Sequence, residues 1–317
     1  MSKVLLTGAG GRMGQAMLSA LLARGMAVVA LVRPGSGAQL PEGVERLEHD
    51  LAASPLPSAA FDGVDYAIHL AGLVGEKPYS ELFASNANAT KNLLYFCPTS
   101  IRKIVLASSI SVYGLHPGKE VDEGERLEPQ GDYGRSKLAA EEFAHDYCDS
   151  LPIVFLRIAM VYGPGFEEGY SQVLSLLERG KMKIIGDGKN RLPLVHIDDV
   201  ISAIFLAMEK ETSRGAIYNV CGQERSSQQE LLELAAKKLG APPPVGHVSP
   251  AIAGLAAQAM PFLGKKGIAP HAIWQLASDR AYSIRKATQE LGWAPKVRLE
   301  EGVAQMVKLY KENKTAE

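Results

Sequence analysis

The chain has 317 residues, 46% of them hydrophobic, and sets 34 Lys and Arg against 35 Asp and Glu for a net charge of −1. Such a length suits about two domains with substantial cores, and without a basic block a nucleic-acid backbone drops out of the expected partners. Cys97, Cys148 and Cys221 are odd in number and far apart, with no C-x-x-C spacing or nearby His cluster, so they read as buried reduced thiols and neither a metal nor a disulfide framework is expected.

The N-terminal MSKVLLTGAGG enters an apolar strand at once, leaving no room for a secretory leader, and the cytoplasm is the expected compartment. Strand-like runs follow at KVLLTG, MAVVALV, VERLEHD, DYAIHLAG, RKIVLASS and PIVFLRIAMV, alternating with helical periodicity at 12–24, about 80–96 and 133–148. This alternation predicts an α/β fold with a doubly wound, parallel Rossmann-type sheet. Past VYGPG (161–165) helices dominate, at 169–180, 198–209, 227–239, 251–263 and 300–313, while AIYNVCG (216–222) reads as a strand returning to the sheet. The expected organisation is a dinucleotide-binding domain, 1–163 plus 191–222, interleaved with a smaller, mostly helical substrate domain, 164–190 plus 223–317. The apolar stretch PAIAGLAAQAMPFLG (250–264) is too short and too interrupted to span a bilayer, so no integral membrane contact is expected.

TGAGGRMG (7–14) sets Gly8, Gly11 and Gly14, with Arg12 and Met13 between them, after the first strand and at the start of the first helix. Gly8 and Gly11 permit a tight turn against a pyrophosphate, Gly14 permits close helix–strand contact, and the helix N-terminus favours the anion. At the end of the second strand, where an NAD-preferring site places an acid, stands Arg33 in LVRPGS. Arg33, assisted by Arg12, would pair with a 2′-phosphate and favour NADP, with NAD still open. The alternative is a solvated surface arginine.

Tyr133 and Lys137 in DYGRSK stand four residues apart and share a helix face. With 11 Tyr and 19 Lys, roughly 0.7 such Y-x-x-x-K matches arise by chance, and the chain holds three, the others being Tyr282/Lys286 and Tyr310/Lys314. Only the first has a strand end carrying a serine, Ser109 in ASSISVYG, upstream. The order glycine loop, strand-end Ser, Tyr-x-x-x-Lys resembles the extended short-chain dehydrogenase/reductases, the NAD(P)-dependent epimerase/dehydratase family. The likeness continues through HLAG (69–72), NANATKNLL (86–94), LRIAMVYGPG (156–165), LVHIDDV (194–200) and ELGWAPKVRLEEGV (290–303).

By that resemblance Tyr133 is the general acid/base of a hydride transfer, Lys137 supports it and the nicotinamide ribose, and Ser109 bonds the reacting oxygen. Asp50 and Leu51 would meet the adenine, Leu70, Ala71 and Gly72 the middle of the cofactor, and Asn86 the cofactor from its helix. For Asp50 and Asn86 a helix cap or a satisfied buried amide is the alternative. His69 and His196 fall in structural family segments and read as packing or hydrogen-bonding groups. Relatives often dimerise through the 80–96 and 133–148 helices, and a homodimer is compatible with this sequence.

The chain departs from parts of that family. Where sugar-nucleotide 4,6-dehydratases carry an Asp-Glu pair it has Ile110 and Ser111, where epimerases have an Asn it has Met160, and the R-x-G-D stretch of many epimerases is absent. Apolar Leu73, Val74 and Met160 are therefore expected to meet the substrate beside Ser109. The 250–264 stretch resembles the hydrophobic lid of 3β-hydroxysteroid dehydrogenase-like and dihydroflavonol-reductase-like members, its alternative being an ordinary buried helix. The expected activity is interconversion of a ketone and a secondary alcohol on a small, moderately apolar molecule. An NAD-dependent sugar-nucleotide epimerase is the second reading, and a non-catalytic dinucleotide sensor the third.

Overall fold

Runs of Val, Leu and Ile that alternate sides in the first third of the chain become strands buried on both faces. The computed structural model describes residues 2–116, 118–223, 226–259, 273 and 276–316. The chain opens with β1 (Lys3–Thr7), α1 (Arg12–Ala23), β2 (Ala27–Val32), β3 (Glu45–Glu48) and β4 (Tyr66–His69). A helical stretch follows, α2 (Tyr79–Phe83) and α3 (Ala89–Leu94), joined by a widened π-turn at Ala84–Asn88. Then come β5 (Lys103–Ser109), the short β6 (Glu120–Val121), α4 (Asp132–His145), β7 (Ile153–Ile158) and β8 (Met160–Tyr162).

Beyond β8 the chain builds α5 (Glu168–Glu178), β9 (Ile184–Ile185), β10 (Leu194–His196), α6 (Ile197–Glu209) and β11 (Ala216–Val220). It ends with α7 (Gln228–Leu239), β12 (His247–Val248), α8 (Pro250–Ala259), β13 (Ala281–Tyr282) and α9 (Leu299–Ala316). Seven strands form one parallel sheet in the order β11-β7-β5-β4-β1-β2-β3. The chain steps outward from β1 to β3, then returns to the other side of β1 with β4. That reversal opens a crevice beyond the C-terminal ends of β1 and β4, the place where such sheets bind ligands.

The period-two alternation of each strand divides the core. Val4 and Leu6 pack with Met17 and Leu18 of α1 and with Val200 and Ile204 of α6 on one face. Leu5, Val29 and Phe155 pack with Leu93 of α3 and Ala144 of α4 on the other. A separate apolar cluster joins α5, α7 and α9 through Leu174, Leu177, Leu232, Leu239, Val303 and Val307. Helix α7 is closed at both ends: Ser227 and Glu230 form a capping box, and Gly240 ends it in the left-handed region at φ 76°.

Three two-stranded parallel ribbons, β8 with β10, β9 with β12 and β6 with β13, were not foreseen from the sequence. Each strand is two or three residues long and its partner is remote, so no local periodicity announces it. The cysteines have no disulfide, and Cys148 and Cys221 are buried while Cys97 is only half-buried. Among the described residues no helix is long and apolar enough to cross a membrane, and no group of three or more His, Cys, Asp or Glu could hold a metal ion.

Candidate active site

The crevice is a cleft of about 1170 Å³. Its floor is backbone. Gly8 sits at φ 72°, and a Cβ there would lie 2.7 Å from the amide nitrogen of Ala71. A Cβ on Gly14 would lie 2.0 Å from the Gly8 carbonyl oxygen, so α1 reaches β1 only because that residue has no side chain. Gly11 stands at the N-cap of α1. Gly8, Gly11, Arg12, Met13 and Gly14 thus line the cleft together with the backbone turn Leu70–Gly72 that follows β4. A bare glycine turn opening a helix N-terminus at the sheet reversal fits a dinucleotide's pyrophosphate.

The deeper wall brings Ser109, Tyr133 and Lys137 into the same cleft. Ser109 ends β5, and its Oγ accepts from the Ser111 amide at 3.1 Å, starting a single 3-10 turn. Tyr133 stands in the first turn of α4, and Lys137 one turn on. Burial raises the Tyr133 pKa above its ordinary value, and a hydrogen bond with the Ser109 side chain works against the rise. Lys137 donates from Nζ to the Ala107 carbonyl at 2.5 Å. Its burial pushes its pKa down to about 8, and Glu141, one further turn along α4, opposes the fall.

Glu141 belongs to a buried network. Its carboxylate accepts from Arg157 Nε at 3.1 Å and Nη2 at 2.7 Å, and also from the Ser108 hydroxyl. The Arg157 guanidinium lies over the Tyr113 ring, 4.7 Å from its centroid. Tyr133, Lys137 and Glu141 thus form one stripe of α4, at i, i+4 and i+8.

Asn86, in the π-turn, has a bonding pattern that leaves its amide well satisfied. Its Oδ1 accepts from the Leu73 amide at 2.8 Å, while Nδ2 donates to the Leu73 carbonyl at 3.1 Å and the Ser136 hydroxyl at 2.8 Å. It clamps the Leu73 loop to α4 while lining the cleft.

Both histidines serve structure. The Thr7 hydroxyl accepts from the Ala71 amide at 3.2 Å and donates to His69 Nδ1 at 2.7 Å. Thr90 gives its own proton to the Asn86 carbonyl at 2.8 Å, so it accepts from His69 Nε2 at 3.1 Å. That chain fixes a neutral ring, and burial, with the Lys137 charge, pushes the His69 pKa down to about 3. His196 caps α6 by accepting from the Asp198 amide at Nδ1, 3.3 Å, and donates from Nε2 to Gln305 at 3.0 Å.

The other two Tyr-x-x-x-Lys pairs separate in space from the trio. Tyr310 and Lys314 both bond the Glu178 carboxylate. Lys286 sits 5.3 Å from the Tyr218 ring, while Tyr282 packs on Tyr113 at 5.6 Å between centroids and reaches the cleft alone.

Of the expected substrate residues, Leu73, Val74 and Met160 line the cleft. Arg33, Asp50 and Leu51 do not: Arg33 is exposed beyond β2, Asp50 Oδ1 accepts from the Ala52 amide at 3.0 Å, and the Leu51 side chain packs into the core at 4% exposure. The 250–264 stretch needs correction. Its described part, α8, stays outside the cleft lining, with Ile252 and Leu255 61% and 67% exposed and Ala257 packed on Ile185. Residues 260–264 lie outside the described residues. The sequence reading missed Phe166, Ser278 and Arg280, which line the cleft from segments with no motif of their own. The β6–β13 pairing and the Arg191–Asp279 ion pair, both remote in sequence, hold the segment that carries the last two.

Over residues 4–221 the chain matches the NAD dependent epimerase/dehydratase family. It is 29% identical over 325 residues to a 2-alkyl-3-oxoalkanoate reductase of Stenotrophomonas maltophilia, spanning 96% of this chain and 98% of that one. Among solved structures, MoeE5 in complex with UDP-glucuronic acid and NAD is similar at a TM-score of 0.78 and 26% identity, covering 99% of this chain and 100% of the other. A UDP-glucuronic acid 4-epimerase from Bacillus cereus in complex with NAD shares the fold, with a TM-score of 0.79 at 24% identity and 98% and 99% of the two chains covered.

Proposed function

The chain belongs to the NAD dependent epimerase/dehydratase family and is a nicotinamide-dependent enzyme of the dehydrogenase/epimerase type; from that premise we propose that it reduces a ketone on a moderately apolar small molecule, using NADPH. The observation that carries this reading is the apolar lining that Ser109 and Tyr133 share: Leu73, Val74, Ile110, Leu115 and Met160. A nucleotide diphosphate buried among those side chains lacks the several charge-assisted partners it needs. The reductase relative, alike over nearly its whole length, supports the same reading.

When bound, the nicotinamide supplies the hydride. Tyr133 gives its phenolic proton to the ketone oxygen, Ser109 bonds that oxygen, and the Lys137 charge favours the tyrosinate left behind. The turn Gly8–Gly14 would hold the pyrophosphate and Leu70, Ala71 and Gly72 the middle of the cofactor, while the Asp50–Leu51 turn, outside the cleft lining, would meet the adenine end with its backbone rather than with the core-packed Leu51 side chain. In this division, 1–163 plus 191–222 carry the cofactor and 164–190 plus 223–317 shape the substrate's side. Arg33, exposed at the β2 end, reads as the partner of the 2′-phosphate. Arg12 reaches toward Glu168 at 3.6 Å and is a weaker helper.

Arg33→Ala is expected to weaken NADPH by roughly 10- to 100-fold, the effect of a charge-assisted bond of about 1.5–3 kcal/mol, and to spare NADH. Fluorescence titration of both cofactors checks this, and NADH binding to wild type as tightly as NADPH would leave Arg33 a surface residue.

The second reading, an epimerase that retains NAD, is favoured by the UDP-glucuronic acid and NAD bound to MoeE5. Following NADPH consumption across bulky apolar ketones, beside calorimetry with UDP-glucose, separates the two. Reduction of such ketones with no measurable UDP-glucose binding is the expected result. Micromolar binding of UDP-glucose with no ketone reduced would replace the reductase with the epimerase.

A further inference from the structure

Outside the cleft, Val245, Ile252 and Leu255 expose 64%, 61% and 67% of their surface, and all three come from one stretch of chain. From Leu239 to Ala259 that stretch carries no Asp, Glu, Lys or Arg. A single exposed aliphatic side chain is ordinary on a protein surface. Three of them in a stretch without charge form a patch that calls for a partner.

The patch is firmly built. β12 pairs in parallel with β9, the Ile184 amide donating to the Gly246 carbonyl at 3.1 Å and the Gly186 amide to the Val248 carbonyl at 2.9 Å. One step earlier the Val245 amide donates to the Met182 carbonyl at 3.2 Å. In α8, Ala253 and Ala257 stand one turn apart and join Ile185 and Val248 in an apolar cluster. Ile252 and Leu255, three residues apart, therefore share the opposite side of the helix, with the exposed Ala251 and Ala256 beside them.

The β9 side of the ribbon supplies charge of one sign. Lys181 and Lys183 are exposed on either side of the buried Met182, the residue whose carbonyl holds Val245. Between Gly180 and Asn190, Lys181, Lys183 and Lys189 stand against Asp187 as the one acid.

Protruding aliphatic side chains bordered by lysines match the interface of an anionic bilayer, where the apolar groups enter the acyl boundary and the ammonium groups meet headgroup phosphates. A protein partner is matched less well. The core of a protein interface rests on aromatic and Arg anchors and is poor in Lys, and neither 180–189 nor 239–259 contains a Phe, Tyr, Trp or Arg. We propose that the β9–β12 ribbon and the outward side of α8 attach this protein to the surface of an anionic lipid bilayer without crossing it. The attachment is independent of the reaction catalysed in the cleft, since α8 lies outside the cleft lining.

Co-sedimentation of the full chain with vesicles tests this. Wild type is expected to bind phosphatidylcholine vesicles containing about a quarter phosphatidylglycerol at least tenfold more tightly than vesicles of phosphatidylcholine alone, and to lose most of that preference in about 0.5 M salt. Replacing both Ile252→Ser and Leu255→Ser should weaken binding to the anionic vesicles at least about tenfold. Replacing both Lys181→Glu and Lys183→Glu should abolish the preference for the anionic lipid. All four side chains are exposed, so both variants should unfold at the urea concentration of wild type and bind NADPH as it does. Wild type that leaves both kinds of vesicle in the supernatant, or variants that sediment with the anionic vesicles as wild type does, would overturn the attachment. So would a wild-type dimer in sedimentation velocity that the serine variant turns into a monomer, because a second copy of the chain would then cover the patch.

Discussion

Tyr133→Phe is expected to lower turnover by about 10²–10⁴-fold while NADPH affinity stays nearly unchanged, because the change removes one hydroxyl and that hydroxyl is the proton donor. Burial raises the Tyr133 pKa, which keeps the phenol protonated and ready to act as the acid in reduction. The Lys137 ammonium, with its pKa pushed down to about 8, loses its charge as pH rises through that value. The wild-type reduction rate should accordingly hold below pH 8 and decline above it. Tyr310→Phe is the control: its hydroxyl bonds Glu178 at 3.0 Å and belongs to the α5–α9 cluster, so the rate should not move. Turnover of Tyr133→Phe within a factor of about three of wild type would remove Tyr133 from the chemistry.

The sheet was legible because each strand is a short apolar run, and the order of strands and helices restricts the topology to a doubly wound sheet. The glycine turn and the Ser109, Tyr133, Lys137 order were legible because they sit at strand ends and helix starts, which local sequence marks. The π-turn was not. A helix that widens by one residue around Asn86 keeps its apolar face, so Leu82, Leu93 and Leu94 look like one continuous stripe. The apolar character of α8 misled for a related reason: composition marks a segment as hydrophobic without saying what it covers, and Ile252 and Leu255 turn outward. Arg280 carried no signal. Its access to the cleft depends on Ala281 and Tyr282 pairing with Glu120 and Val121, some 160 residues earlier in the chain, and a non-local pairing of two residues leaves no periodicity to read.

Glu141→Gln is expected to destabilise the fold by about 3–5 kcal/mol, the cost of leaving a buried cation without its counter-ion. Only 2% of the Arg157 side chain is exposed, and Glu141 is its ion-pair partner at 2.7 Å. Glutamine keeps the shape and can still accept from Ser108, so the loss isolates the charge. The same substitution has a second consequence, because Glu141 is what holds the Lys137 pKa up against burial. Without it that pKa falls further, and the decline of the reduction rate with rising pH should begin below pH 8. Urea unfolding reads the first effect and a pH–rate profile the second. Replacing both partners with apolar groups, Glu141→Leu with Arg157→Met, should restore much of the lost stability, since no buried charge is then left unpaired. It should leave the pH limb displaced, since Lys137 has still lost its carboxylate. A loss below about 1 kcal/mol in Glu141→Gln, with the pH limb unmoved, would mean that Glu141 neither balances Arg157 nor tunes Lys137.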